Sequence, residues 1–154
     1  MVLNSRRDAS IPNPVLEPLS GLIGTWNTEG RHPLFPDTVF HGRTSFEWLE
    51  GGAFLIMHSE IEEPGIPTGI AIIGSDDSAK ELSMLYFDER AVSRKYEVTV
   101  RDNVCTWWRN APGFSQRFTW TLAADGRSMT GKGELSRDGS SWERDLELTY
   151  ARVE

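Results

Sequence analysis

From Trp26 to the end of the chain, apolar and polar residues alternate, as they do in strands with one face on a core and one in water. Clusters of glycine, proline, asparagine and aspartate interrupt the alternation, as turns do. The predicted strands are 24–30, 38–50, 53–61, 69–75, 81–87, 92–101, 104–110, 114–123, 128–135 and 142–152. Because short turns join consecutive strands, and closure leaves no exposed edge, the pattern predicts an all-β fold: a single ten-stranded antiparallel up-and-down barrel. An open two-sheet sandwich is the alternative.

The stretch before the first strand has the pattern of a short helix. Asn13 is a preferred N-cap residue, and Pro14 suits the first helical position. An apolar stripe follows at Val15, Leu16, Leu19, Leu22 and Ile23. Gly24 limits the helix to a couple of turns, and Trp26 comes directly after it. We therefore expect a short N-terminal helical plug that closes one end of the barrel over a buried Trp26.

Length, charge and cysteine content narrow the class of protein. The chain has 154 residues, a net charge of −7 and one cysteine, Cys105, so no internal disulfide forms. An acidic balance argues against nucleic acid as a partner, and no apolar run is long enough for a membrane span. The first residues lack a signal-peptide pattern, so the expected location is cytoplasmic. We expect a flexible N-terminal arm over residues 1–12 and a single barrel domain over residues 13–154.

Hairpin turns determine which side chains face the barrel interior, because turn position fixes strand register. A two-residue turn at Asp102–Asn103 pairs Val98 with Trp107, and it makes Cys105 a core thiol. The interior positions of this hairpin are then Arg94, Tyr96, Val98, Val100, Cys105, Trp107 and Arg109. A turn at Asp125–Gly126, followed by a turn at Asp138–Gly139, fixes in the same way which residues of the next three strands face the interior. Their interior positions are Gln116, Phe118, Trp120, Leu122, Met129, Gly131, Gly133, Leu135, Leu146, Leu148 and Tyr150.

The hairpin at Gly51–Gly52 allows two registers. A two-residue turn places six residues inside the barrel: Thr44, Phe46, Trp48, Leu55, Met57 and Ser59. A three-residue turn would instead bring Ile56 and His58 inside. We favour the two-residue turn, which leaves His58 and Glu60 on the outer face.

Two arginines and a tyrosine on the predicted interior face suggest a binding site. An unpaired guanidinium is costly to bury, so Arg94 and Arg109 need partners. In one interpretation, the two arginines reach solvent at the rim of the barrel or pair with an acid such as Asp88. In the other, they converge with Tyr96 on an anionic or carbonyl group of a ligand. The second interpretation predicts a largely apolar cavity with a few polar groups. Its predicted lining residues are Thr44, Phe46, Met57, Arg94, Tyr96, Trp107, Arg109, Gln116, Phe118, Trp120 and Tyr150.

The opening of the chain resembles a known group of barrels. The segment from Pro12 to Trp26, followed by Glu29–Gly30, is similar to the start of nitrobindins, which are haem-binding barrels of calycin-like (lipocalin-like) form. Fatty-acid-binding proteins are related in form and also carry Gly-x-Trp on their first strand. Arg94-Lys95-Tyr96 resembles the Arg-x-Tyr pair that fatty-acid-binding proteins use on a lipid carboxylate. The resemblance implies a calycin-like barrel that holds its ligand inside.

The chain departs from nitrobindins at the residue that holds haem. In that group a histidine late in the chain is the iron ligand, but the histidines here are His32, His41 and His58. We therefore expect no haem, no other cofactor and no metal site. The predicted function is binding of a small, largely apolar molecule. In the more specific form of this hypothesis, the molecule carries a carboxylate or a carbonyl group. The alternatives are a cofactor-free cyclase or isomerase that uses the same cavity, and a filled barrel that serves as a homodimer.

Overall fold

A computed structural model describes residues 11–78 and 80–153 of the chain. A 3₁₀ helix spans Pro14–Leu22 and is called the plug helix below. A second, shorter 3₁₀ helix spans Glu50–Gly52. The strands are β1 (Gly24–His32), β2 (Phe35–Leu49), β3 (Phe54–Ile61), β4 (Gly69–Ser75), β5 (Leu82–Asp88), β6 (Ser93–Arg101), β7 (Val104–Arg109), β8 (Ser115–Leu122), β9 (Ser128–Ser136) and β10 (Glu143–Arg152). Of the predicted arm, residues 1–10 lie outside the described part. In the described part, no helix is long and apolar enough to cross a membrane.

The strands form one closed antiparallel barrel. Each strand pairs with the next along the chain, and β1 pairs with β10 to complete the ring. The closing ladder joins Trp26 to Arg152 and Gly30 to Leu148. The up-and-down barrel is thus confirmed, and the open sandwich is excluded because both would-be edge strands are paired with each other.

The plug helix follows the predicted cap and apolar stripe, but it is a 3₁₀ helix. The Asn13 side chain accepts a hydrogen bond from the backbone N–H of Val15 at 3.0 Å. Leu16, Leu19 and Leu22 are buried at three-residue intervals, which suits the three residues per turn of a 3₁₀ helix. Pro18 lies inside the helix, and in an α-helix its ring would clash with the carbonyl of residue 14, four residues earlier. Spacing and proline together favour the tighter winding.

Trp26 and Arg152 fasten the plug helix to the barrel. Trp26 is fully buried, and its indole N–H donates to the Leu22 carbonyl at 2.9 Å. The Arg152 guanidinium lies 4.2 Å from the centre of the Trp26 ring and donates to the carbonyls of Gly21 and Ile23 at 2.7 and 2.6 Å. These are carbonyls that the end of a helix leaves without partners. The prediction that Trp26 is buried at the closed end is confirmed.

The predicted registers of three hairpins also hold. At the Gly51–Gly52 hairpin, Phe46 pairs with Met57 and Trp48 with Leu55, as the favoured register requires. His58 therefore faces outward, where its imidazole lies 3.7 Å from the carboxylate of Glu60. Two more predicted pairings are present, Val98 with Trp107 and Trp120 with Gly131. Between β9 and β10 the register shifts between Arg144 and Glu147, and beyond the shift Leu148 and Tyr150 are buried on the interior face, as expected.

Candidate functional site

A cavity of about 340 Å³ opens at the end of the barrel away from the plug helix. Its mouth includes His32 at the end of β1, the β3–β4 loop (65–67), Arg90, Phe114 and Asp145 at the start of β10. The plug helix contacts the opposite strand ends, so the barrel has one closed end and one open end. This volume lies within the range of small-molecule sites.

Aromatic side chains form the inner wall of the cavity. Trp107 stacks on Phe118 with ring centres 4.9 Å apart, and it meets Tyr96 edge-on at 4.7 Å. Trp120 packs against Trp107 at 5.8 Å and donates its indole N–H to the Tyr150 hydroxyl at 3.1 Å. Because these rings hold one another at preferred edge and stacked geometries, the wall is rigid and largely apolar.

One polar cluster interrupts this wall, and Gln116 is at its centre. Arg94 Nη1 and the Tyr96 hydroxyl both donate to Gln116 Oε1, at 2.9 and 3.0 Å. The Arg94 guanidinium also lies 5.6 Å from the centre of the Phe114 ring. Two donors, one of them charged, therefore converge on a single oxygen at the cavity surface. A ligand oxygen would be held in the same way.

The structure brings most of the predicted lining residues together. The lining includes Met57, Arg94, Tyr96, Trp107, Gln116, Phe118, Trp120 and Tyr150. Thr44 and Phe46 are buried on the interior face but lie outside the lining. Arg109 is half-buried and also lies outside it. Arg94, Tyr96 and Arg109 were expected to converge on one polar spot. Arg94 and Tyr96 do meet in the cavity, and Arg109 does not join them.

A second polar cluster at the mouth joins Tyr86, Asp88 and Arg90. The carboxylate of Asp88 is fully buried and accepts from the Tyr86 hydroxyl at 2.8 Å and from Arg90 Nη2 at 2.7 Å. Arg90 holds the pKa of Asp88 down at about 2, while burial and the Asp88 carboxylate raise the pKa of Tyr86. Asp88 is therefore the partner of Arg90, and not of Arg94 or Arg109 as one interpretation of the sequence had it.

The buried Asp88 carboxylate makes stability depend on pH in the acid range. Its pKa falls from 3.8 to about 2 on folding, so its contribution is complete above pH 4 and lost as pH falls through 2. The shift corresponds to about 2 kcal/mol. We expect the stability difference between the wild type and Asp88→Asn, measured by urea unfolding, to shrink by about 2 kcal/mol between pH 5 and pH 2. A difference that stays constant over this range would contradict the assignment.

The cavity also contains a histidine–aspartate pair that the sequence analysis missed. His32 Nε2 and Asp145 Oδ1 are 2.9 Å apart, and His32 Nδ1 accepts from the Leu34 backbone N–H at 3.1 Å. In the neutral imidazole, Nε2 is then the nitrogen that carries the proton and donates to Asp145. A β-bulge in β10, where register shifts between Arg144 and Glu147, lets both Asp145 and Leu146 line the cavity.

Among the described residues of the cavity lining, no histidine ring nitrogen and no phenolate is free to ligate a haem iron. Both ring nitrogens of His32 are already in hydrogen bonds, so iron ligation would break one of them. Burial raises the pKa of Tyr86, Tyr96 and Tyr150, so these phenols offer no phenolate. Met57 has a thioether, which in cytochromes c acts alongside a histidine. Among the residues that the structure describes, no group of three or more metal-ligating side chains is present either.

Comparison with solved structures supports the fold. The chain is similar to the crystal structure of Rv2717c from M. tuberculosis, with a TM-score of 0.67 and 12% sequence identity. The alignment covers 94% of this chain and 100% of that chain. No protein-family model matches the sequence, and no curated protein matches it. At this identity the likeness shows a common barrel fold and nothing about the ligand.

Proposed function

We propose that the barrel binds a small, largely apolar molecule whose carboxylate or carbonyl oxygen lies at Arg94 and Tyr96. The observation that carries the proposal is the convergence of these two donors on Gln116 Oε1 at the surface of the cavity. A ligand oxygen at these two donors would displace Gln116 Oε1, which accepts from both of them. A guanidinium suits a carboxylate, since it offers two parallel donors to two oxygens.

Three titratable groups at the cavity have pKa values unsuited to acid–base catalysis, whereas the His32–Asp145 pair is the group that the alternative, a cofactor-free isomerase, would use. A general acid or base works best with a pKa near the working pH. Here the pKa of Asp88 is held at about 2 by Arg90, and burial raises the pKa of Tyr86 and Tyr96. None of these shifts moves a group toward neutrality. The cavity also has the volume of a ligand site, which favours binding over a filled barrel that serves only for assembly.

The resemblance to calycin-like barrels agrees with this proposal. Gly24-Thr25-Trp26 opens β1 beside the plug helix, and Trp26 seals that end, as expected for the group. The Arg94–Tyr96 pair also matches the Arg-x-Tyr chemistry that the resemblance implies for fatty-acid carboxylates. We propose membership of the calycin-like group on this basis, with a ligand other than haem.

Fluorescence titration of a matched acid and alcohol tests the proposal. Trp107 and Trp120 line the cavity, so their emission reports binding of dodecanoic acid and of dodecan-1-ol. Arg94→Leu removes the charged donor, and we expect dodecanoic acid to bind about 1.5–3 kcal/mol more weakly, a typical loss for a charged hydrogen bond. Binding of the uncharged alcohol should change little.

Arg109→Leu is the matched control for this experiment. It removes the same charge from the neighbouring strand, but the Arg109 side chain lies outside the cavity lining. We expect its effect on the acid to be small beside that of Arg94→Leu. Equal weakening of acid and alcohol by Arg94→Leu, or no saturable binding of fatty or aromatic acids, would contradict the proposed function.

A further inference from the structure

We propose that the cavity has a second ligand contact at Asp145, which accepts a hydrogen bond from a donor on the apolar body of the bound acid. The ligand class is then narrower: an acid that carries an amine or a hydroxyl away from its carboxylate. This inference rests on the proposed function, because it assumes that the acid group lies at Arg94.

The Asp145 carboxylate has one occupied and one available oxygen. Oδ1 is bound to His32 Nε2 at 2.9 Å, and within residues 11–78 and 80–153 no partner is bound to Oδ2. The side chain is 23% exposed and belongs to the cavity lining, and Oδ2 is its oxygen without a protein partner in the described part of the chain. An ionised carboxylate accepts and cannot donate, so its complement is a hydrogen-bond donor.

His32 fixes the direction of this carboxylate. Its two ring nitrogens are bound to Asp145 and to the Leu34 backbone N–H, so the imidazole cannot rotate without loss of a bond. The Asp145 side chain is therefore oriented before a ligand arrives. A side chain that is already oriented loses less conformational entropy when a ligand binds, so preorganisation favours binding.

Asp145 and Arg94 lie on different sides of the barrel. Asp145 is on β10, next to β1, whereas Arg94 is on β6, nearly halfway around the ring. Burial is the main cause of the raised pKa of Tyr96, and the negative charge of Asp145 adds to it. The cavity lining thus has a positive group on β6 and a negative group on β10. A molecule that satisfies both has its acid group and its donor separated by an apolar segment.

Matched fatty acids and ω-amino acids test the second contact. The probes are octanoic, decanoic and dodecanoic acids and the ω-amino acids of the same lengths, titrated by tryptophan fluorescence. We expect the wild type to bind the ω-amino acid of at least one length about tenfold more tightly than its parent, as a charge-assisted hydrogen bond predicts. The series of lengths allows the flexible chain to span the cavity.

Asp145→Asn should abolish this preference and leave the parent acids within about twofold of their wild-type affinity. An asparagine keeps an oxygen for His32 and replaces the available acceptor by an N–H₂ donor. Glu47→Gln is the control, because it removes one negative charge from an exposed position on the outer face. It should leave the preference intact.

Three results would overturn the second contact. If the wild type binds parent acids but never prefers an ω-amino acid, the contact at Asp145 is wrong and the proposed function stands. If Asp145→Asn weakens parent and ω-amino acid equally, Asp145 supports the barrel and does not contact ligand. If no acid of either series binds, the contact and the proposed function fail together.

Discussion

Trp26→Ala is expected to lower the free energy of unfolding by about 3–5 kcal/mol, the usual cost of removing a large buried aromatic side chain. Trp26 is fully buried and contacts Tyr150 edge-on, with ring centres 6.4 Å apart. Its loss also leaves the Leu22 carbonyl without its indole donor and Arg152 without the ring beneath it. Urea unfolding followed by circular dichroism measures the change.

Trp48→Ala is the matched control for this substitution. Trp48, which the sequence placed inside the barrel, is 37% exposed near the end of β2, so the same change removes far less buried surface. We expect a loss of about 1 kcal/mol, typical of a partly exposed position. If Trp26→Ala were no more destabilising than Trp48→Ala, the plug helix would not be closing a core.

The barrel could be predicted from the sequence because the turn residues and the alternation of apolar and polar residues both indicated the same antiparallel strands. Turn residues at Asp102–Asn103 and Asp125–Gly126 set the register, and alternation set the face, so each pairing followed from its neighbour. The winding of the plug helix did not follow so directly. Its Leu16, Leu19, Leu22 spacing suits a 3₁₀ helix but also lies within an α-helical stripe, and Pro18 decides between them.

Alternation along a strand tells which side chains face the barrel interior, but not how far along the barrel axis they lie. The candidate binding site was therefore only partly predictable. Arg94, Tyr96 and Gln116 were found by parity, and they meet in the cavity. Thr44 and Phe46 have the correct parity but lie outside its lining, because the cavity occupies only part of the barrel interior. No rule that counts residues along a strand separates these two groups.

His32 and Asp145 were missed for different reasons. His32 has inward parity, but the predicted first strand ended at residue 30, two residues short of the observed end. Asp145 has outward parity, and only the bulge in β10 brings it to the cavity. A signal for that bulge is present in the sequence: Gly133 stands opposite the irregular segment and has no side chain to occupy the space.

Gly133→Val is expected to lower the free energy of unfolding by about 3 kcal/mol, in the upper part of the range for overpacking. A Cβ at this position would lie 2.7 Å from the backbone oxygen of Leu146 and 3.1 Å from the Phe118 ring. Backbone cannot move aside as a flexible side chain can, so the segment that holds Asp145 and Leu146 must shift. Urea unfolding measures the loss.

The displaced segment should also affect ligand binding. We expect the preference for ω-amino acids to fall in Gly133→Val, since Asp145 would lose the direction that the bulge gives it. Gly65→Val is the control for the stability measurement alone, because a Cβ at Gly65 meets no atom within 4 Å but Gly65 belongs to the mouth of the cavity. Its stability should remain within about 0.5 kcal/mol of the wild type, as at other open surface positions. Equal stability of the two variants would mean that β10 has room for a side chain at 133, and that the bulge does not depend on this glycine.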